Sequence, residues 1–321
     1  MHSLSSRKSR VAGGFGGTVA SKEAQEYLAQ VRAYQEAAIG AAGAAPTLAD
    51  MRAGADAVME TVGTMPDGVL IEPEDVDGLS ALWCRPEGAR PDVVVLYLHG
   101  GGYVLQSATS HRKLTAHLAA RSGCSVLSLN YRLAPEHPHP AAVDDALKAF
   151  RWLQARGFAP GKIAVAGDSA GGGLALATML AAKRDGDAQP AGAVLFSPWV
   201  DLVGTGESMD SKAGVDLMVQ RHALQLMASM FLAGASAEDP LAAPLHADLA
   251  GLAPLYIQVG GDETLLDDST RIASKAAHAG VSVRLDVFPE MQHVFQAAVG
   301  MIPEATDAVA HAGWWLSEIL G

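Results

Sequence analysis

Ser169 sits in Gly167-Asp168-Ser169-Ala170-Gly171, a stretch of the form G-x-S-x-G. An apolar run, Ile163-Ala164-Val165-Ala166, leads into it, and small residues from Gly171 to Ala182 lead out at helical spacing. Strand, tight turn and helix are the context that a nucleophile elbow requires. The turn forces the serine into a strained backbone, so its neighbours two residues away must be tiny, as Gly167 and Gly171 are. Ala170 then opens a helix with its N–H aimed at the point the serine hydroxyl reaches. A nucleophilic serine also needs a base, a carboxylate to orient the base, and donors for an oxyanion. Two stretches downstream qualify for the first pair: Val259-Gly260-Gly261-Asp262 and Phe288-Pro289-Glu290-Met291-Gln292-His293. Of the 11 histidines, His293 follows the last strand. Asp262 immediately follows its own strand, whereas Asp267 and Asp268 lie deeper in the loop and suit the start of the next helix. The order Ser169, Asp262, His293 is the one expected with G-x-S-x-G on a parallel sheet. His99-Gly100-Gly101-Gly102 follows another strand, and its glycines let backbone N–H groups approach a ligand closely. Gly101 and Gly102, with Ala170, supply three donors around one oxygen, each worth about 3 kcal/mol to a transition state. His99 is expected to pin this loop rather than to react.

The elements that must position these groups are legible as alternation. Val69–Ile71 and Leu79–Cys84 read as two strands around an Asp77-Gly78 turn. Val93–Leu98 is the continuous apolar run of a buried strand. Helix 110–121, strand Ser125–Leu129, helix 141–156, strand Ile163–Ala166, helix 170–184 and strand Ala193–Phe196 follow. After a break come strand Leu255–Val259, helix 267–279, strand Val283–Val287 and helix 304–320. This pattern predicts an α/β fold, a mostly parallel sheet with helices on both faces. Residues 1–20 are Ser-, Gly- and Arg-rich and are expected to be mobile. Helix 21–39, with Ala24, Leu28, Val31 and Ala38 as its stripe, starts at Ser21. Helix 48–62 starts from a Thr47/Asp50 capping signal, with Met51, Ala55, Val58, Met59 and Val62 as its stripe. Neither alternates with strands, so both read as an appendage. Residues 201–235 hold no convincing strand but a polar loop and a Met-rich apolar helix including Leu217, Met218, Leu224, Met227, Met230 and Phe231. An insertion of that length between strands has a task of its own.

The chain of 321 residues, 49% hydrophobic and 18% charged, fills one large domain or a domain with a small appendage. A formal net charge of −12 without a basic cluster argues against nucleic acid and anionic membranes as partners. Cys84 and Cys124 fall in predicted strands and read as buried free thiols. No metal-ligand spacing occurs, no apolar run reaches spanning length, and the N-terminal stretch lacks the apolar core of a signal peptide, which predicts a cytoplasmic protein.

Taken together, H-G-G-G at 99–102, G-D-S-A-G-G at 167–172, the D-x-x-L-x-D loop from Asp262, the late His-Val-Phe and Tyr131-Arg132-Leu133-Ala134-Pro135-Glu136 resemble the hormone-sensitive lipase family of α/β-hydrolases, the bacterial family IV esterases. The resemblance covers about residues 65–320. It implies an eight-stranded α/β-hydrolase sheet and a serine carboxylesterase without cofactor or metal. In it Ser169 is the nucleophile, His293 the base, Asp262 the orienting acid, and Gly101, Gly102 and Ala170 the oxyanion donors, with Asp168 structural. It also implies a helical cap, formed by residues 1–65 and the insertion 201–235 over a catalytic domain of 66–200 and 236–321, and dimers through the last strand and helix. Where the family often has Pro after the acid, Glu263 follows Asp262, and this second carboxylate bears on the loop's rigidity and charge. A lactonase, amidase or acyltransferase would use the same residues. A non-catalytic ligand receptor of this family lacks the histidine that is present here as His293. The expected substrates are small esters with short-to-medium acyl chains.

Overall fold

Val93 to Leu98 forms the centre of the molecule because both of its faces are covered. In the computed structural model, which describes residues 19–40 and 46–321, with the backbone alone for 35–40, Val94, Leu96 and Leu98 face one apolar cluster and Val93, Val95 and Tyr97 the other. That two-sided burial is why the run is continuous rather than alternating. In chain order the strands are β1 (Val69–Val76), β2 (Leu79–Pro86), β3 (Arg90–Leu98), β4 (Cys124–Leu129), β5 (Ile163–Asp168), β6 (Gly192–Phe196), β7 (Leu255–Gly260) and β8 (Val283–Phe288). They form one eight-stranded sheet in the order β1-β2-β4-β3-β5-β6-β7-β8. β1 and β2 pair antiparallel around Asp77 and Gly78, both at positive φ, and β2 pairs antiparallel with β4. The other neighbours are parallel.

The helices divide between the faces. Helices α3 (Arg112–Ser122) and α9 (Pro303–Ile319) cover one, through Leu114, Leu118, Val309 and Leu316. Helices α4 (Ala141–Ala155), α5 (Ala170–Asp185) and α8 (Leu266–His278) cover the other, through Phe150, Leu174 and Ile272. Every residue of α5 from Ala170 to Ala182 is buried, which explains a helix built of Gly, Ala, Leu, Thr and Met with no polar stripe. From β3 the chain goes to β4 on one side and then crosses to β5 on the other. The loops after β3 and β5 therefore diverge, opening a crevice at the carboxyl ends of the strands.

The strands and helices predicted from alternation are all present, with ends shifted by a few residues at most except in β1, which extends to Val76. Cys84 and Cys124 are buried and free. The stretch expected to be mobile lies, but for Val19 and Ala20, outside the described residues, as does the side chain of Ala38. Helix α1 (Lys22–Gly40) follows Ser21, whose hydroxyl accepts from Ala24 N at 3.1 Å. Ala20, Ala24 and Tyr27 pack against Phe295, Ile302 and Ala305. Helix α2 (Leu48–Thr61) carries the full Thr47/Asp50 capping box, and its apolar stripe is half-buried. Arg52 ties it to Val104 O, Ala134 O and Glu136. Residues 201–235 contain no strand, and their helices are α6 (Ser208–Ser211) and α7 (Arg221–Leu232). Leu217 and Met218, expected in the apolar helix, precede α7 in a turn, where Met218 is exposed. Among the described residues no helix is long and apolar enough to cross a membrane.

Candidate active site

Ser169 joins β5 to α5 with φ 52° and ψ −121°, a conformation that L-residues avoid. The strain is held from several sides. Ser169 N donates to Phe196 O at 2.8 Å, and Ser169 O accepts from Gly172 N at 3.0 Å, Gly173 N at 3.1 Å and Trp199 N at 2.9 Å. At Gly171 a Cβ would overlap the carbonyl oxygens of Leu98 and His99, so this residue must be glycine for the elbow to pass β3. Ala170 is the first residue of α5, with its N–H at the helix start beside Ser169.

The loop after β3 approaches the same point. Gly101 and Gly102 have φ of 98° and 63°. Behind the loop lies a buried polar cluster. Asp168 Oδ1 accepts from Tyr97 Oη at 2.7 Å and Gly100 N at 3.1 Å, and Asp168 Oδ2 lies 3.2 Å from His111 Nε2. Burial opposes charge on both Asp168 and His111. Their mutual attraction outweighs it, lowering the pKa of Asp168 and raising that of His111. His99 stacks on Tyr131 at 4.3 Å, and its carbonyl accepts from Tyr131 Oη at 2.7 Å. Burial and the His111 charge push the His99 pKa down to about 3, so it is neutral and serves to hold the loop. Asp168 and His99 thus have the supporting places expected of them. The part of His111 was not legible, because nothing local links it to residue 168.

The structure does not bring Asp262 to His293. His293 Nδ1 lies 3.1 Å from Glu263 Oε1, and the carboxylate of Asp262 pairs instead with Lys212 Nζ at 3.0 Å. The reason is where the strand ends. Backbone pairing runs past Val259: Gly261 N donates to Phe288 O at 2.7 Å and Asp262 N to Met291 O at 3.0 Å. Asp262 is therefore still tied to the β8 side, with its side chain outward, and the turn into α8 brings Glu263 inward. The Glu263 side chain is fully buried and accepts two more bonds, from Ser197 Oγ at 2.7 Å and Gly260 N at 2.8 Å. Ser197, which no motif marks, also accepts from Val294 N at 3.2 Å. It links the end of β6 to both loops. Burial pushes the His293 pKa down, but the hydrogen bond and charge of Glu263, then the charges of Asp216 and Asp168, outweigh it, and the net shift is upward. Asp267 and Asp268, the other acids weighed in this loop, accept from Ser208 N and from the Val200 and Asp201 amides.

The insertion lies directly on the glycine loop. Phe231 of α7 stacks on Tyr103 at 3.8 Å, and Met227 Sδ occupies the space that a Cβ on Gly102 would need. The residue of Ser169 is 8% exposed and the side chain of His293 also 8%. A serine on a strained turn, an imidazole held by a carboxylate, and backbone N–H groups of a glycine loop form the equipment of acyl transfer.

Comparison with known proteins agrees. A family model described as the alpha/beta hydrolase fold matches residues 95–297. An acetyl-hydrolase of Streptomyces hygroscopicus is 42% identical over 269 residues, 83% of this chain and 88% of that protein. A putative acetyl-hydrolase of Mycobacterium tuberculosis, LipR, is 32% identical, over 86% of each chain. Among solved structures, an esterase of the bacterial hormone-sensitive lipase family superposes with a TM-score of 0.89 at 41% identity, covering 95% of this chain and all of that one.

Proposed function

The chain belongs to the α/β-hydrolase family, among the bacterial hormone-sensitive lipase esterases, and is a carboxylic-ester hydrolase; we propose that it acts through an acyl-enzyme, with Ser169 as nucleophile, His293 as base and Glu263 as the orienting acid. Glu263 holds Nδ1–H of the imidazole, which leaves the Nε2 lone pair to take the Ser169 proton. The serine oxygen then bonds to the ester carbonyl carbon, and the oxyanion is held by the N–H groups of Gly101, Gly102 and Ala170. His293 returns the proton to the leaving alcohol and activates water for deacylation. The observation that carries this reading is the buried His293–Glu263 pair, on loops at the same carboxyl end of the sheet as the strained Ser169.

Residues 1–65 and 201–235 act as a cap in this reading. The seat of α7 on the glycine loop roofs this side of the site, and a roofed site favours short-to-medium acyl esters, in keeping with the name of the Streptomyces relative. Each added methylene contributes about 0.8 kcal/mol until the space is full. Two copies associate through β8 and α9, which leave Val287 and Trp314 exposed; the enzyme works in the cytoplasm, and its net charge of −12 disfavours nucleic-acid partners. The test is kcat/KM over p-nitrophenyl esters of increasing acyl length, for the wild type and Ser169→Ala. The expected profile peaks at short-to-medium chains, and Ser169→Ala loses about 10⁶-fold in kcat. Retained activity in that variant would require another nucleophile. A profile still rising at long chains would refute the capped pocket.

A further inference from the structure

Segment 206–220 of the insertion lies across both loops that carry the acid and the base, and the contacts are polar. Asp216 is 4% exposed. Its Oδ2 accepts from Thr264 N at 2.7 Å and Thr264 Oγ1 at 3.0 Å, and its Oδ1 from Met218 N at 2.7 Å and Val219 N at 2.8 Å. Thr264 is the residue after Glu263. The residue before His293 is gripped by the same segment: Gln292 Oε1 accepts from Leu217 N at 2.6 Å, and Gln292 Nε2 donates to Val215 O at 3.1 Å. Three consecutive residues, 215 to 217, thus bind the neighbours of both. Ser208 adds a third attachment, donating through Oγ to Thr264 O at 2.6 Å.

Hydrogen bonds to a carboxylate are about twice as strong as neutral ones. Fixing both the amide and the hydroxyl of Thr264 sets the backbone direction at the Glu263–Thr264 link, and so the path of the Glu263 side chain. We infer that Asp216 is a positioning residue of the hydrolytic site: it anchors the Glu263 turn from the insertion, so that the alignment of Glu263 and His293 depends on the seating of segment 206–220. The inference rests on the assignment of Glu263 and His293 as acid and base.

The same carboxylate has an electrostatic signature. The charges that raise the His293 pKa against burial are those of Glu263 at its Nδ1, Asp216 in the insertion and Asp168 in the elbow. Asp168 is paired with His111, and Asp262 with Lys212. Asp216 therefore adds negative potential that favours the imidazolium, and its removal lowers the His293 pKa.

The experiment measures kcat, KM and the pH profile of p-nitrophenyl acetate hydrolysis for Asp216→Asn, Thr264→Val and Glu263→Gln, with folding followed by circular dichroism and Tm. Asp216→Asn is expected to lose about ten- to a hundredfold in kcat, the scale of a small misplacement, with KM little changed. Its acidic limb should move to lower pH. Thr264→Val keeps the charge, so it should lose less in kcat and leave the limb in place. An Asp216→Asn enzyme with wild-type kcat and an unmoved limb overturns the proposal, even if its Tm falls. Should Asp216→Asn fail to fold, Thr264→Val decides: an unchanged kcat in that variant overturns the anchoring. If Glu263→Gln itself keeps wild-type rates, the assignment beneath the proposal fails. A slow Glu263→Gln beside a normal Asp216→Asn refutes the positioning role alone.

Discussion

The two halves of the site are built by different means. On the side of the elbow and the glycine loop, backbone meets backbone: the carbonyl oxygens of Leu98 and His99 stand where a Cβ of Gly171 would be. On the side of Glu263 and His293, a side chain is the hub, with Ser197 Oγ, Gly260 N and His293 Nδ1 around the one carboxylate of Glu263. Backbone packing demands particular residue types at fixed spacing. A side-chain network demands only that some carboxylate arrive, and a shift of one residue in a turn decides which. The first kind of construction is rigid and easily read. The second is a matter of register.

The sharpest way to break this contrast is at the acid. Glu263→Gln keeps the shape but misdirects the imidazole tautomer, and it should cost about 10⁴ in kcat, as the loss of the orienting acid does in other triads. If Glu263→Gln is fast, the carboxylate at His293 Nδ1 has no catalytic part, and the side-chain half has been misassigned.

What was legible follows the same division. Gly167, Gly171 and the run from Gly100 to Gly102 announced the elbow and the loop because no other residue fits there, and the buried strands announced the sheet by their continuous apolar runs. Asp262 reads as the residue facing His293 because it comes directly after the apolar run of its strand. The backbone bonds from Gly261 and Asp262 prolong that strand's pairing, and pairing across strands is set by a partner far away in sequence. Asp216, Ser197 and His111 were illegible for the same reason: each acts on a residue more than 45 positions away. Leu217 and Met218 looked helical by composition, but Asp216, accepting from Met218 N and Val219 N, closes a turn there before α7 begins.

Next in size is a test of the backbone half. Gly102→Ala places a methyl group against Met227 Sδ at a residue with φ 63°, so the Met227 side chain must give way and the loop takes up backbone strain. The expected loss is about 10²-fold or more in kcat, the value of one oxyanion donor, with KM less affected. Full activity would mean that Gly102 N takes no part in holding the oxyanion.

The pH profile sharpens the comparison without a large loss. In the proposed mechanism the active base is neutral His293. Its folded pKa is raised by Glu263, Asp216 and Asp168 against the effect of burial, so the imidazolium persists above the ordinary histidine value of about 6.5. As pH falls through that raised pKa, kcat/KM must fall, and it should level off above it. In the residual activity of Glu263→Gln the limb should lie at lower pH, since the principal group favouring the cation has lost its charge. A limb that stays in place in Glu263→Gln would show that it reports some other group.

The smallest effect is expected one residue away. Asp262 and Lys212 form a pair whose side chains are 31% and 30% exposed, and such pairs contribute about 0–1 kcal/mol once solvent screening is counted. Asp262→Asn removes that attraction but leaves the bond from Asp262 N to Met291 O, which is what holds the strand end in register. Tm should fall by no more than about 2 °C, and kcat should stay within severalfold of the wild type. Lys212→Met should behave alike, because neither group touches the Glu263 carboxylate. Adjacent acids with the same charge and nearly the same reach would then differ by about three to four orders of magnitude in their effect on kcat, since the orienting acid alone is worth about 10⁴. An Asp262→Asn enzyme as slow as Glu263→Gln would return the orienting role to Asp262, with the turn into α8 rearranged in the working enzyme.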